Sequence, residues 1–416
     1  MPVSLATATA PPRTRLPLAV YALALGTFCL GTSEFMLAGL LPQLSDGLGV
    51  SISTAGLLIT AFAIGMTVGA PLMTLATLRL PRRATLLSAA AVFALIHLIP
   101  LAFDGYAMLL VGRVVAAAAC ATYWAVGAVI AVRLAGQELT ARALAAVVGG
   151  LTLANVLGVP AGTWIGERLG WQASFVAVAI ATVIVIGILR VLVPHQPHDD
   201  ARVPMRVLVR RELVAFRDRR LWLALLTTAL FQAAVFCCFS YLAPLLTDVS
   251  GISDERVPLV LLLFGVGSFV GITLGGRYAD RDQLVNVFVS LVAMIVALVI
   301  LLALAGTTMG ACAATFLFGA SAFSIAAALN GRVFGFAGDA PTLAASVNVS
   351  AFNVGNAVGP WLGGLVIDAG LGLRAPIWTA IALGGAALVV ASFSWRLERG
   401  PRTERATRVP AECASA

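Results

Sequence analysis

The chain alternates long apolar runs with short polar turns. A helix needs about 20 mostly apolar residues to cross a bilayer, and twelve runs of that kind can be marked out. Six lie in the first half, at 16–41, 52–76, 84–102, 106–132, 143–165 and 173–193. Six lie in the second, at 221–246, 257–275, 284–305, 309–329, 343–367 and 377–395. They are too long and too uniformly apolar for barrel strands, so helices are the remaining way to satisfy their backbone groups in lipid. The pattern predicts an all-α membrane protein of twelve transmembrane helices. The first run is too long for a signal peptide and lacks a small-residue cleavage site, so it is expected to remain as the first span.

One long polar segment, 194–220, divides the runs into two sets of six. It carries Arg202, Arg206, Arg210, Arg211, Arg217, Arg219 and Arg220, and its 206–220 part suits an amphipathic helix lying on anionic lipid. The predicted organisation is a six-helix bundle at 1–193, an Arg-rich linker at 194–220, a second bundle at 221–395 and a tail at 396–416. Arginines sort by side. Arg79, Arg82, Arg83, Arg133, Arg142, Arg277, Arg281 and Arg332 share one side with the linker and tail, and Arg168, Arg256 and Arg374 take the other. The positive-inside rule then predicts cytoplasmic termini.

Composition sharpens this picture. Of 416 residues, 60% are hydrophobic and 11% charged, against about 25% charged in soluble domains. The net charge of +8 is carried by arginine alone, with no lysine. Because those arginines sit in short loops between apolar runs, the charge does not indicate nucleic-acid binding. The six cysteines, Cys29, Cys120, Cys237, Cys238, Cys312 and Cys413, show no CxxC spacing, and five lie within apolar runs. They read as packing residues, with no metal site, nucleotide motif or cofactor motif.

The candidate chemistry is what interrupts the apolar runs. Glu34, in Gly31-Thr32-Ser33-Glu34-Phe35-Met36, is a carboxylate well inside the first run. Placing a carboxylate at membrane depth costs at least ~2.5 kcal/mol on insertion scales, and such residues usually mark pathways. Arg113 is the second buried charge. Glu34 lies about 8 residues before Pro42, or ~12 Å, and Arg113 about 7 residues after Tyr106, or ~10 Å. The two runs point in opposite directions, so the charges are predicted at similar heights, where they could pair. Burial favours the neutral carboxyl and an arginine the charged one, a balance suited to proton coupling. A static ion pair is the alternative.

Other polar and aromatic residues are weaker candidates. His97 reads as a hydrogen-bonded residue near the end of its run. Tyr123, Trp124, Asn155, Gln232, Phe236, Tyr241, Asn353 and Asn356 are candidates for a substrate cavity.

The halves repeat each other. The eleventh run holds Gly355-Asn356-Ala357-Val358-Gly359-Pro360-Trp361-Leu362-Gly363-Gly364, and the fifth holds Gly158, Pro160 and Gly162. Glycines at this spacing let helices approach closely, and proline bends the axis. Repetition about an axis along the membrane normal is the mark of a two-bundle transporter with its cavity between the halves.

This glycine-proline pattern resembles the antiporter signature of the major facilitator superfamily's drug:proton antiporter branch. Leu78-Arg79-Leu80-Pro81-Arg82-Arg83 resembles the superfamily's gating loop, with Leu78 where an acidic residue usually stands. Gly276-Arg277-Tyr278-Ala279-Asp280-Arg281 is its second-half counterpart and keeps the Asp-Arg pair. Arg113 resembles the fourth-helix arginine of the family. The segment from Gly31 to Pro42, with Thr54-Ala55-Gly56-Leu57-Leu58 and Gly69-Ala70-Pro71-Leu72, looks like bacterial chloramphenicol-resistance exporters.

The resemblance implies two pseudo-symmetric six-helix bundles in a bacterial inner membrane. It implies a monomer that exports a small amphipathic drug in exchange for protons, by alternating access and without a cofactor. Glu34 and Arg113 would couple the proton, and Arg79, Arg82, Arg83, Asp280 and Arg281 would serve the gating loops. The glycines and prolines of the fifth and eleventh runs would form hinge surfaces. Sugar or other small-solute transport, in either direction, stays open as the alternative.

Overall fold

The computed structural model describes residues 15–77, 80–103, 105–136, 139–195, 218–337 and 341–399. Within them the chain is helical. We number the spans α1 to α12. In the first half they are α1 (Leu18–Phe35, continued as Leu37–Leu48), α2 (Ile52–Thr77), α3 (Arg82–Ile96), α4 (Tyr106–Ala135), α5 (Thr140–Leu153, a π-helical turn at Ala154–Gly158, then Val159–Leu169) and α6 (Trp171–Leu192). In the second they are α7 (Arg219–Phe239, continued as Leu242–Asp248), α8 (Val257–Ala279), α9 (Gln283–Leu304), α10 (Thr308–Ser324, continued as Ala326–Ala337), α11 (Pro341–Val366) and α12 (Ala375–Arg399). Among the described residues, 11 helices are long and apolar enough to cross a membrane. The 26-residue α11, which carries Asn348, Asn353 and Asn356, completes the twelve.

Several threonines at membrane depth are satisfied within their own helices. Thr27, Thr32, Thr67, Thr163 and Thr182 each donate to the carbonyl four residues earlier. Where helices restart near solvent, Asp282 caps α9 by accepting from the Leu284 and Val285 amides at 2.9 and 3.0 Å.

The first helix extends further than its sequence suggests. Pro42 was the natural end of the first apolar run, yet it lies inside Leu37–Leu48. The break falls instead at Met36, two residues past Glu34. A single missing hydrogen bond within a packed membrane helix is tolerated. Glu34 therefore sits near the middle of α1, not in its outer half.

Close helix pairs repeat between the halves. In the first half, Gly150, Gly158, Gly162 and Gly166 of α5 face Ala24, Thr32, Met36 and Leu40 of α1, advancing in step. In the second, Gly355, Gly359 and Gly363 of α11 face the Ala229–Ala233, Ala233–Cys237 and Cys237–Tyr241 stretches of α7. Likewise Gly65 and Gly69 of α2 lie on α4, and Gly267, Gly271 and Gly275 of α8 lie on α10. The residues expected to form hinge surfaces, Gly158, Pro160, Gly162, Gly355, Gly359, Pro360, Gly363 and Gly364, lie on α5 and α11. Most of these glycines bring helices together inside one half, where a Cβ would have no room, whereas Gly364 also meets Ser53 of α2 across the halves.

The halves meet along two seams. One joins α2 to α11: Ser350 donates to the Thr67 carbonyl at 2.9 Å, Thr60 to the Ala357 carbonyl at 3.2 Å, and Ser53 to the Asp368 carboxylate at 2.5 Å. The other joins α5 to α8, where Gly265 lies against the Asn155–Val156 backbone. At the bundle end remote from the termini, called the far side below, Tyr241 is wedged among Gly56 of α2 and Gly363 and Gly364 of α11.

Candidate functional site

Glu34 is buried at the middle of α1 and points at the other half of the molecule. Its carboxylate Oε1 accepts from Asn356 Nδ2 of α11 at 3.5 Å. Asn356 Oδ1 accepts from Gln232 Nε2 of α7 at 2.8 Å, and its Nδ2 also lies 3.5 Å from Asn353 Oδ1. Beside the carboxylate, Phe35 and Phe236 bring α1 against α7 with ring centroids 5.9 Å apart. Four residues predicted to be functional, Glu34, Gln232, Asn353 and Asn356, thus form one polar cluster between the halves, and Phe236 walls it.

Arg113 is also buried, but it does not pair with the carboxylate. Its Nη1 donates to both the Ser33 carbonyl at 3.1 Å and the Ser33 hydroxyl at 3.0 Å. Its Nε reaches the Leu58 carbonyl at 3.4 Å, and the guanidinium lies over the Phe62 ring, 4.2 Å from the centroid. Nη2 has no partner. The predicted common height is there, since Arg113 meets the residue next to Glu34. The pairing is absent because successive residues on a helix point about 100° apart. Arg113 takes the Ser33 side of α1, inside the first half, while Glu34 takes the seam side.

Behind Arg113 stands a residue that sequence reading undervalued. His97 is buried, with its ring between Phe93 at 4.2 Å and Phe175 at 5.7 Å. Its Nε2 bonds the Ser33 hydroxyl at 2.5 Å and its Nδ1 the Phe93 carbonyl at 2.7 Å. It is no shallow interfacial side chain. His97 stands about as far before the turn at 103–105 as Arg113 stands after it, and antiparallel neighbours then place both at one level. That count was available in the sequence.

The remaining candidates fall elsewhere. Tyr123 is buried inside the first half, its hydroxyl donating to the Leu23 carbonyl at 3.1 Å. Tyr241 donates to the Pro360 carbonyl at 2.7 Å. Both are packing residues, each filling space left by glycine, and neither lines an open cavity. Asn155 bonds weakly within its own helix, to the Leu151 carbonyl at 3.5 Å. Trp124 is half-buried on α4.

Of the gating-loop residues, Leu78 and Arg79 lie outside the described residues, as do residues 196–217 of the linker and 400–416 of the tail. Arg82 opens α3. Arg83 of α3 bonds His195 and the Arg190 carbonyl at the end of α6. Asp280 and Arg281 are exposed at the α8–α9 turn. A pairing unforeseen from sequence does appear near the terminal side. Arg332 of α10 meets Glu398 of α12 at 2.6 Å and Ser394 at 2.8 Å.

With this geometry in hand, comparison with known proteins is direct. The family model of the Major Facilitator Superfamily matches residues 23–340. A chloramphenicol resistance protein of Streptomyces lividans is 39% identical over 379 residues, covering 90% of this chain and 96% of that protein. The inner membrane transport protein YdhP of Escherichia coli K12 is 38% identical over 370 residues, covering 89% and 94%. Among solved structures, a bacterial homologue of the human lysosomal transporter Spinster, inward-facing and unoccupied, superposes with a TM-score of 0.72. That match is at 16% identity and covers 93% of this chain and 98% of that one; it speaks to the fold alone. Twelve helices in two repeated bundles, a family model spanning most of the chain and near-full-length relatives agree: the chain belongs to the major facilitator superfamily, as a multi-pass membrane transporter of small molecules.

Proposed function

We propose that the protein exports a small amphipathic drug of the chloramphenicol class in exchange for protons, with Glu34 as the proton-binding group. One observation carries the coupling. A buried carboxyl stands on the seam between the halves, has no arginine partner, and receives a single long contact from the opposite half. A carboxylate can accept about four hydrogen bonds, and this one accepts one poor bond. The protein itself supplies little that favours the anion, and a proton is the smallest ligand that the group can take. Because the donor, Asn356, belongs to the other half, any separation of the halves changes what Glu34 senses. Proton binding and rearrangement are thereby linked.

The substrate reading is supported by the Streptomyces relative's name and by the chemistry of the cluster. Three carboxamides and an aromatic wall suit a neutral, polar-edged, partly aromatic solute. Termini in the cytoplasm follow from the arginine bias. Far-side closure by Ser53–Asp368 and Tyr241 then corresponds to a molecule shut to the outside. Arg113 serves as a fixed cation that shapes the field around Glu34 without neutralising it.

The direct test is uptake of labelled chloramphenicol into everted vesicles energised by an inward-acid pH gradient. Expressed protein should raise accumulation, and collapsing the gradient should abolish the gain. Accumulation equal to that of empty vesicles would rule out this substrate. Accumulation that survives the collapsed gradient would rule out proton exchange.

A further inference from the structure

We propose that His97 is a positioning residue: by accepting the Ser33 hydroxyl hydrogen, it turns that oxygen's lone pair toward Arg113 and keeps the guanidinium off Glu34. The inference deepens the reading of Glu34 as the proton-binding group and rests on it.

The hydrogen-bond directions follow from the available donors. His97 Nδ1 faces the Phe93 carbonyl at 2.7 Å, and a carbonyl can only accept, so the ring hydrogen is assigned to Nδ1. In the neutral ring Nε2 is then the acceptor. The Ser33 hydroxyl has one hydrogen and gives it to Nε2. Its free lone pair receives Arg113 Nη1 at 3.0 Å. Every group in this row is buried, so no solvent reorders it. The ring cannot easily turn away, because Phe93 and Phe175 flank it.

Release of this row would leave Arg113 a nearby alternative. Its Nη2 is unpartnered, and a small cavity lined by His97, Leu109, Gly112 and Phe175 adjoins it. Glu34 is one residue along α1 from its present anchor. The groups acting on Glu34 and Arg113 are few. From α4 come Arg113 and Cys120, and from α3 His97. The side chains facing them from α2, α7 and α11 are Phe62, Phe236 and Asn356, none of which titrates. Without the His97–Ser33 anchor, an ion pair with Glu34 is the strongest interaction open to Arg113. Such a pair would hold Glu34 as the anion and blunt its proton exchange.

The test compares His97→Phe, which keeps a flat ring but loses the acceptor, with His97→Gln, whose carboxamide oxygen can still accept from Ser33. Two readouts are taken on protein reconstituted in liposomes. The first is the pH profile of gradient-driven transport. His97→Phe should move the half-maximal pH toward acid by about one unit, a tenfold weaker hold on the proton, and His97→Gln should stay nearer the parent. The second is a thermal-stability cycle with Glu34→Gln. That substitution should lower Tm more in the His97→Phe background than in the parent, because an ion pair exists there to lose. Equal pH midpoints in the two His97 variants together with an additive cycle would overturn the proposal. A parent whose profile is unchanged by Glu34→Gln would refute proton binding at Glu34 instead, and the cycle would still decide whether His97 positions Arg113.

Discussion

Single residues at the seam carry the argument for coupling. Among the described residues, Asn356 is the one donor that reaches Glu34 from the second half, whereas Asn348 on the same helix bonds Asn330 at 2.6 Å within that half. The two should behave differently. Asn356→Leu is expected to slow transport by about threefold, a long contact being worth less than a full hydrogen bond to a charge, and to lower Tm because Gln232 Nε2 loses its acceptor. Asn348→Leu is expected to lower Tm, since it strands the half-buried side-chain oxygen of Asn330, and to leave the transport rate near that of the parent. Initial rates in proteoliposomes and thermal unfolding in detergent separate them. Glu34 and Arg113 were legible in the sequence because a charge stands out in an apolar run. The partners of each were not, because α1 and α4 are apolar on all sides. With lipid outside and apolar packing inside, hydrophobic periodicity assigns no face. For that reason Tyr123 and Tyr241, read as cavity candidates, turn out to fill glycine gaps.

At the level of elements, glycine spacing decides which helices form rigid pairs. The Gly/Pro cluster was visible in both halves, and the sequence located it correctly. Its partner was the missing piece: α5 lies on α1 and α11 on α7. A neighbouring-residue comparison tests this. Gly150 faces the Ala24 backbone and Gly149 faces open space; Gly359 faces the Ala233 backbone and Gly335 open space. Gly150→Ala and Gly359→Ala are expected to cost about 1–3 kcal/mol of stability by overpacking. Gly149→Ala and Gly335→Ala should leave the unfolding temperature near the parent value. Equal effects within each comparison would mean that the close approach is not structural.

For the whole molecule, function requires the two halves to exchange seam contacts while each stays intact. The Ser53–Asp368 bond joins the halves at the far side, where Glu167 and Glu255 of opposite halves also line one cavity without a bond between them. Asp368→Ala should therefore shift the population toward far-side opening by roughly tenfold, taking a charged hydrogen bond at about 1.5 kcal/mol. Spin-label distances between the far ends of α1 and α11 would register it, and an unchanged distribution would remove the latch from the account.

The twelve-span count and the two-half repeat came directly from run length and motif repetition, because lipid imposes both. How the halves meet depends on side chains that share one helix level, and run length is silent on that. The central claim is that Glu34 carries the proton. Its most direct measurement is substrate-induced proton movement in proteoliposomes, followed with a pH-sensitive dye, for the parent and Glu34→Gln. The account predicts a proton pulse on substrate addition in the parent and none in the variant, which should still bind substrate and exchange it down its gradient. A pulse of equal size from Glu34→Gln would contradict it.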